Sequence, residues 1–232
     1  DVVRTIGGTG EGPGEYRDLG MMLMKGDSLL VQHPISGMLT IYGADGTYAR
    51  SQPFDVAVQA GEAVRLRGDT MLVAEPKPLR ETFGLPLHLV APDGTRIRSF
   101  GAEDRTVDPG FFTPQLRTLA RATDSSVWVA RRDRYVVELW NTGGRLERRL
   151  SPLREWFPPL TKDVINPTGE RPETQLGGIS LDAHGHLVVV LLRARTDWAR
   201  AQGNGAGDLS IYDPLTRFDP FEAVIEILDT AS

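Results

Sequence analysis

The feature that most constrains the fold is a strand–turn–strand pattern that the sequence uses several times. Its clearest copy covers residues 87–101, where two alternating apolar stretches flank Asp93-Gly94. Asp-Gly between such stretches is a strong β-hairpin signal, because both central residues of the favoured turn require positive φ. The pattern recurs in residues 39–50, around Asp45-Gly46, and in residues 137–150, around Gly143-Gly144.

A second pattern precedes each of these hairpins and also occurs once more near the end of the sequence. It is a polar tight turn followed by an apolar run, and its copies start at residues 26, 68, 124 and 184. Together the two patterns define a unit of four strands, A to D, with tight A–B and C–D turns. Four-stranded antiparallel units that repeat every roughly fifty residues are typical of β-propeller blades.

The repeat predicts a single all-β domain over residues 1–232, a β-propeller built of four-stranded antiparallel blades. The predicted blades span residues 21–54, 62–101, 116–150 and 176–228. Residues 1–7 align with the second strand of the hairpin in residues 87–101, so they are predicted to close the fourth blade. In the alternative, the four blades are part of a longer, six-bladed ring.

Composition excludes several classes of partner. The 232 residues carry a net charge of −5 with both signs interspersed, whereas a nucleic-acid surface needs clustered positive charge. No apolar run approaches the length of a membrane span. The sequence has no cysteine, which rules out disulfides and thiolate metal ligands. We therefore expect no nucleic-acid partner and no membrane insertion.

Long connections are predicted to gather on one face. Because strand direction alternates within a blade, D–A and B–C connections emerge on the same side, which we call the loop face. Variable loops on a rigid scaffold are common binding sites, so we expect ligands there, although these loops could also simply cover the core. The long connections are residues 7–20, 76–86, 101–115, 151–175 and 195–222.

The glycine-rich segment 7–16 follows a strand, as a phosphate-binding loop does. No helix pattern and no Lys-Ser/Thr pair follow it, however, so the helix N-terminus that would hold the anion is missing. The segment is instead predicted to be a D–A crossover, with Tyr16 anchored in the next interface.

This segment, followed by a strand and the turn in residues 26–31, resembles NHL-repeat six-bladed β-propellers. Gly101-Ala102 together with residues 109–114 match the same motif more weakly. The resemblance implies a scaffold that binds proteins, peptides or glycans on one face, and an extracellular or periplasmic location. Some relatives are metal-dependent lactonases or lyases. The sequence departs from the family in showing four blade-equivalents, not six.

The predicted function is therefore a non-catalytic ligand- or protein-binding scaffold without a cofactor. Arg131 and Arg132 belong to a B–C turn that is either solvated or in contact with an anion or a carboxylate. Trp156 and Trp198 lie in the longest connections, where aromatic rings stack on peptides or glycans, although Trp156 could instead fill a groove between blades. The candidate binding residues are Glu15, Tyr16, His33, Glu75, Arg131, Arg132, Trp156 and Trp198.

The alternative function is a metal-dependent hydrolase or lyase of the propeller type. It requires three or more loop-face ligands to converge near the axis, drawn from Glu15, His33, Glu75, Asp104 and Asp133.

Other polar and aromatic residues are predicted to be structural. His88 is expected on a sheet surface, and His184 and His186 in a tight turn. Trp128 and Trp140 are expected in the core, and no Ser-His-Asp order is visible.

Overall fold

The computed structural model describes residues 4–56, 62–75, 85–101, 116–160, 171, 173–196 and 221–230. Regular structure in these residues is β, apart from one 3-10 turn at Arg67–Asp69. Within them, no helix has the length and apolar character needed to cross a membrane.

The first four-stranded sheet follows the glycine-rich segment. That segment contains two very short parallel strands, β1 (Gly8–Thr9) and β2 (Glu15–Tyr16). The first sheet then has the order β3 (Met22–Lys25), β4 (Ser28–His33), β5 (Met38–Tyr42) and β6 (Tyr48–Pro53), and all its pairs are antiparallel.

The next two sheets repeat this antiparallel order. The second sheet consists of β7 (Ala63–Arg65), β8 (Met71–Ala74), β9 (Leu87–Val90) and β10 (Arg96–Phe100). The third consists of β11 (Arg117–Arg121), β12 (Ser126–Arg131), β13 (Val137–Asn141) and β14 (Leu146–Leu150).

The fourth sheet has three strands among the described residues. They are β15 (Gln175–Leu181), β16 (Leu187–Ala194) and β17 (Phe221–Leu228), again antiparallel and in chain order. Strand direction alternates in every sheet, so D–A and B–C connections leave each sheet from the same end. The predicted all-β fold is therefore confirmed, and the four-stranded antiparallel unit is complete in the first three sheets.

The sheets share one register. The first apolar B-strand residue after each A–B turn pairs with the last apolar C-strand residue, and each observed C–D hairpin has its β-bulge at this point. The four equivalent pairs are Leu29↔Tyr42, Met71↔Val90, Val127↔Trp140 and Leu187↔Leu228. The same local pattern therefore produces the same pairing each time.

The core lies between neighbouring sheets rather than inside one central cluster. Leu39, Phe54 and Val73 pack between the first and second sheets. Trp140 packs between the second and third sheets, and Trp128 between the third and fourth. Both tryptophans are buried, as predicted. Because side chains alternate along a strand, each inner sheet contributes one face to each of two interfaces.

Glycines at the C–D turns allow each hairpin to approach the preceding sheet closely. Gly94 has φ +90°, and a Cβ atom there would lie 2.2 Å from the carbonyl oxygen of Pro53. Gly144 has φ +81°, and its Cβ atom would meet Phe100. Both the left-handed backbone and the lack of space require glycine at these positions.

Residues 4–7 are not part of a strand, and the expected closing strand in residues 1–7 stays a prediction. Ile6 and Arg4 lie against Gly46, in the C–D turn of the first sheet. Residues 1–3 lie outside the described part of the chain.

Candidate functional site

A pocket opens on the loop face between the second and third sheets. Its volume is about 220 Å³, and we call it the arginine pocket. Arginines at four positions share its lining with Glu138 and Trp140. These arginines are Arg117, Arg131, Arg134 and Arg149.

Strand alternation explains why these side chains meet. Arg117 lies two residues before Leu119, and Arg131 two residues after Val129, and both apolar residues pack against the second sheet. Each arginine therefore points to the same side of the third sheet as its apolar neighbour. Both lie at the loop-face ends of their strands, above the core that fills the groove.

Glu138 anchors one wall of the pocket. Arg149 donates two hydrogen bonds to Glu138 Oε1, from Nε at 2.8 Å and from a terminal nitrogen at 2.6 Å. The indole Nε1 of Trp140 donates to Oε2 at 2.9 Å. Both carboxylate oxygens are thus used, which fixes the orientation of the arginine and of the indole ring.

Asp133 anchors the opposite wall, and the turn around it is not solvated. Asp133 is 1% exposed. Arg131 binds its carboxylate with two hydrogen bonds, at 2.9 and 2.8 Å, and Arg134 Nε donates at 2.8 Å. The prediction of a solvated turn is wrong, because the carboxylate is clamped by two guanidinium groups beneath the surface.

Among the described residues around the pocket, arginines outnumber carboxylates. Within the described residues, four arginines are set against the carboxylates of Glu138 and Asp133. Gly101, which precedes the connection of residues 102–115, and Arg117, which follows it closely, both line the pocket. That connection lies outside the described residues.

Arg132 points to the other side of the third sheet from Arg131. Its Nε donates to the carbonyl oxygen of Leu176 at 3.3 Å, which links the third and fourth sheets. Burial lowers the pKa of Arg132, and the charge of Glu62 opposes that shift. Arg132 is therefore a link between sheets and does not line the arginine pocket.

Glu15, Tyr16 and His33 lie together at the first sheet. Glu15 is exposed and accepts a hydrogen bond from the Gly12 N–H at 2.8 Å, which closes the glycine-rich turn. The rings of Tyr16 and His33 are 6.3 Å apart, and the Tyr16 hydroxyl donates to the Ile6 carbonyl oxygen at 3.3 Å. His33 is buried, and its Nε2 has no hydrogen-bond partner among the described residues.

Glu75 directly follows β8 of the second sheet and pairs with His88. His88 Nε2 is 3.1 Å from Glu75 Oε2, and Nδ1 is 2.8 Å from Ser99 Oγ. The prediction that His88 lies on a sheet surface is wrong, because its ring is buried and hydrogen-bonded on both nitrogens. Thr40–Ser51 and Glu138–Arg149 are hydrogen-bonded pairs at the same repeat position, so a structural role explains the Ser99–His88 contact.

Trp156 packs beside Phe157 in the groove between the third and fourth sheets. The two rings are stacked at 6.3 Å, and the Arg193 guanidinium lies 5.5 Å from the Trp156 ring. This position matches the groove-filling role that the sequence left open. Trp198, the other predicted stacking residue, lies outside the described residues, as does Asp104.

The described members of the predicted binding set thus lie at four places on the scaffold. Among them, only Arg131 lines the arginine pocket. The other arginines, Glu138 and Trp140 were not predicted as site residues, although Arg117, Glu138 and Arg149 occupy strand positions whose side follows from alternation. The missed residues are Arg117, Arg134, Glu138, Trp140 and Arg149.

Among the described residues, no three His, Asp or Glu side chains come close enough together to hold a metal ion. Glu15, Glu75 and Asp133 lie in different sheets or loops, and each has its own hydrogen-bond partner. The ligand set of the enzymatic alternative is not assembled by these residues.

No known protein family and no curated protein matches the sequence. The fold, however, is found in solved structures. A putative exported protein from Bacteroides fragilis aligns with a TM-score of 0.58 at 12% identity, over 82% of this chain and 56% of that chain.

Two further structures give weaker alignments. A virginiamycin B lyase from Staphylococcus aureus has a TM-score of 0.47 at 11% identity, over 81% of this chain and 54% of that one. BamB from Moraxella catarrhalis has a TM-score of 0.40 at 12% identity, over 73% of this chain and 39% of that one. The chain spans about half the length of the first two proteins. By fold, this chain is an all-β protein of the β-propeller type.

Proposed function

We propose that this protein is a non-catalytic binding scaffold that holds an acidic protein or peptide segment in the arginine pocket. The supporting observation is that, among the described residues, four arginines and two carboxylates surround a pocket on the loop face. The whole chain carries a net charge of −5, so a cluster of arginines departs from its average composition.

The chemistry of the pocket favours carboxylate ligands. A guanidinium group presents a planar fork of donors that matches a carboxylate, and partial burial strengthens such hydrogen bonds. Arg131 and Arg149 are already oriented by Asp133 and Glu138, so little side-chain entropy is lost when a ligand binds. Trp140 offers an apolar wall for the methylene groups of a glutamate side chain.

The test uses a fluorescently labelled glutamate-rich peptide and a glutamine-rich peptide of the same length. We expect fluorescence anisotropy to show binding of the glutamate peptide alone, with affinity that falls as salt is added. Arg134→Gln should weaken binding roughly 5- to 10-fold, because one charged hydrogen bond contributes about 1 kcal/mol or more.

Arg121→Gln is the matched control for this experiment. Arg121 lies at the far end of β11 from Arg117 and contacts Asp124 in an A–B turn, on the opposite face. Its substitution should leave peptide binding unchanged. Equal binding of the two peptides, or equal weakening by the two substitutions, would contradict the proposal.

The enzymatic alternative makes a separate prediction. A lactonase or lyase of the metal-dependent kind would retain about one equivalent of a divalent ion after purification, measured by elemental analysis. Peptide binding that persists after treatment with a chelator would favour the scaffold.

We also infer a location outside the cytoplasm, in the periplasm or the extracellular medium. The support is the resemblance to NHL-repeat propellers and the fold likeness to a protein described as exported. Fractionation of cells that express the natural gene, followed by immunoblotting, tests this inference.

A further inference from the structure

The outer edge of the fourth sheet is the one place where the repeat is incomplete in the described residues. The first three sheets end in an outer strand, whereas the fourth ends at β17. Ile225 and Ile227 are both 65% exposed, but their equivalents in the second sheet, Leu87 and Leu89, are 1% and 9% exposed. An apolar strand edge of this kind is a template for pairing with another strand.

The three observed outer strands share a local pattern. An arginine follows the bulge and faces the C strand, as in the pairs Ile41↔Arg50, Leu89↔Arg98 and Leu139↔Arg148. The next residue is polar and forms a side-chain hydrogen bond across the hairpin. Those bonds are Thr40–Ser51 at 2.9 Å, His88–Ser99 at 2.8 Å and Glu138–Arg149 at 2.6 Å.

Arg4-Thr5 has the same pattern as Arg98-Ser99 and Arg50-Ser51, and Ile6 corresponds to Phe100. Their position in space agrees with this correspondence. Ile6 and Arg4 lie against Gly46 of the first sheet, as Phe100 lies against Gly144 of the third. Residues 4–6 therefore occupy the place that an outer strand of a preceding sheet would take.

The residues that follow β17 also have the contact that marks a C–D turn in the repeat. Arg148 of the third outer strand donates to the carbonyl oxygen of Thr230, just as Arg98 of the second donates to the carbonyl oxygen of Gly143. Thr230 thus lies at the C–D turn position. Within the described residues, however, no strand pairs with the free edge of β17.

Within one chain, residues 4–6 do not pair with β17, because Arg4 and Ile6 lie against Gly46 of the first sheet. The A strands of neighbouring sheets contact each other, and these contacts join β3 to β7, β7 to β11 and β11 to β15. The described parts of the first and fourth sheets make no contact of comparable extent. Among the described residues, the free edge of β17 and the segment that matches it therefore do not pair with each other.

We propose that the free edge of β17 binds the N-terminal segment of a second copy of this chain. The register of the other hairpins assigns Arg4 opposite Ile227, Thr5 opposite Glu226 and Ile6 opposite Ile225. The Thr5 hydroxyl then donates to the Glu226 carboxylate, which repeats the polar pair of the other three sheets. The first sheet of the second copy packs over Ile225 and Ile227.

Cysteine cross-linking tests the register, because the natural sequence has no cysteine. Arg4→Cys and Ile227→Cys are made in separate chains, which are purified, mixed and oxidised. Opposed residues in antiparallel strands have Cα atoms within disulfide range. We expect a covalent dimer, with the linked peptides identified by mass spectrometry. Light scattering of the natural chain should give twice the mass of one copy.

The matched control mixes Thr5→Cys chains with the same Ile227→Cys chains. Thr5 is shifted by one position, so its side chain points to the other sheet face. We expect at least tenfold less covalent dimer from this mixture. Equal dimer yields from both mixtures, or none from either, would overturn the proposal. A cross-link within single chains that carry both Arg4→Cys and Ile227→Cys would also overturn it, since the chain would then close on itself.

Discussion

At Glu226, a single carboxylate holds side chains from two connections of the third sheet. Arg154 donates to both of its oxygens, at 2.8 and 2.9 Å, and the Tyr135 hydroxyl donates at 2.9 Å. The hydrogen bonds from Arg154, and then the one from Tyr135, lower the pKa of Glu226 below its ordinary value of 4.5. Burial, reinforced by the contact with Glu226, raises the pKa of Tyr135. Charge at this residue therefore stabilises the junction of the third and fourth sheets.

The lowered pKa of Glu226 predicts a loss of stability in acid. A group whose folded pKa is lowered contributes its full stabilisation above the unfolded pKa and loses it as pH falls through the folded pKa. Glu226→Gln should therefore cost about 1 kcal/mol at pH 7, and this difference should shrink below about pH 4. Urea denaturation between pH 3 and 7 measures the free energy of unfolding of the variant and of the natural protein.

Glu222→Gln on the same strand is the control for this prediction. Glu222 pairs with Arg193 at the surface, where ion pairs contribute little, so the variant should differ from the natural protein by less than about 0.5 kcal/mol. A Glu226→Gln difference that stayed constant with pH would contradict the assignment.

At the scale of one element, the C–D hairpin is the part that joins one sheet to the next. Asp45 accepts hydrogen bonds from the hydroxyl and then the backbone N–H of Thr47, and Asp93 accepts one from the backbone N–H of Thr95. These hydrogen bonds lower the pKa of both carboxyl groups. The glycine that follows each aspartate has positive φ. The turn sequence thus specifies the hairpin, but the approach of Gly94 to Pro53 belongs to the interface between sheets.

Gly94→Ala separates these two requirements. The new Cβ atom would lie 2.2 Å from the Pro53 carbonyl oxygen, in addition to the strained backbone. Gly185→Ala is the control, because Gly185 has φ +84° and nothing within 4 Å of the added atom. We expect about 1 kcal/mol of destabilisation for Gly185→Ala and roughly 2 kcal/mol more for Gly94→Ala, measured by urea denaturation. Equal losses would show that crowding at Pro53 has no effect.

At the scale of the whole molecule, backbone hydrogen bonds connect each sheet to the next. The acceptor in each case is a backbone carbonyl oxygen. The N–H of Asp55 donates to Gly94 at 3.0 Å, the N–H of Arg67 to Asp124 at 3.2 Å, and the N–H of Leu176 to Arg132 at 3.1 Å. Side chains add further links. Glu62, just before the second sheet, accepts the Leu119 N–H of the third at 2.6 Å.

Glu62→Ala is predicted to weaken the contact between the second and third sheets. Without the carboxylate, the Leu119 N–H on the inner edge of β11 loses its acceptor, which should cost about 1 kcal/mol. We expect amide hydrogen exchange at Leu119 to be roughly fivefold faster, with smaller changes elsewhere in β11. Glu147→Ala, at an exposed carboxylate of β14, should leave this exchange rate unchanged. Unchanged exchange in both variants would exclude the link.

What the sequence determined by itself is the repeated unit and its direction. Asp-Gly turns, tight A–B turns and alternating strands act over a few residues, so the four sheets, their order and the common side of the long connections were predictable. The tertiary structure decided which of these residues meet. The burial of His88, the clamp on Asp133 and the arginine pocket depend on how two sheets pack, because their contacts join residues far apart in sequence. Periodicity tells which side of a strand a residue faces, but only packing decides what stands opposite.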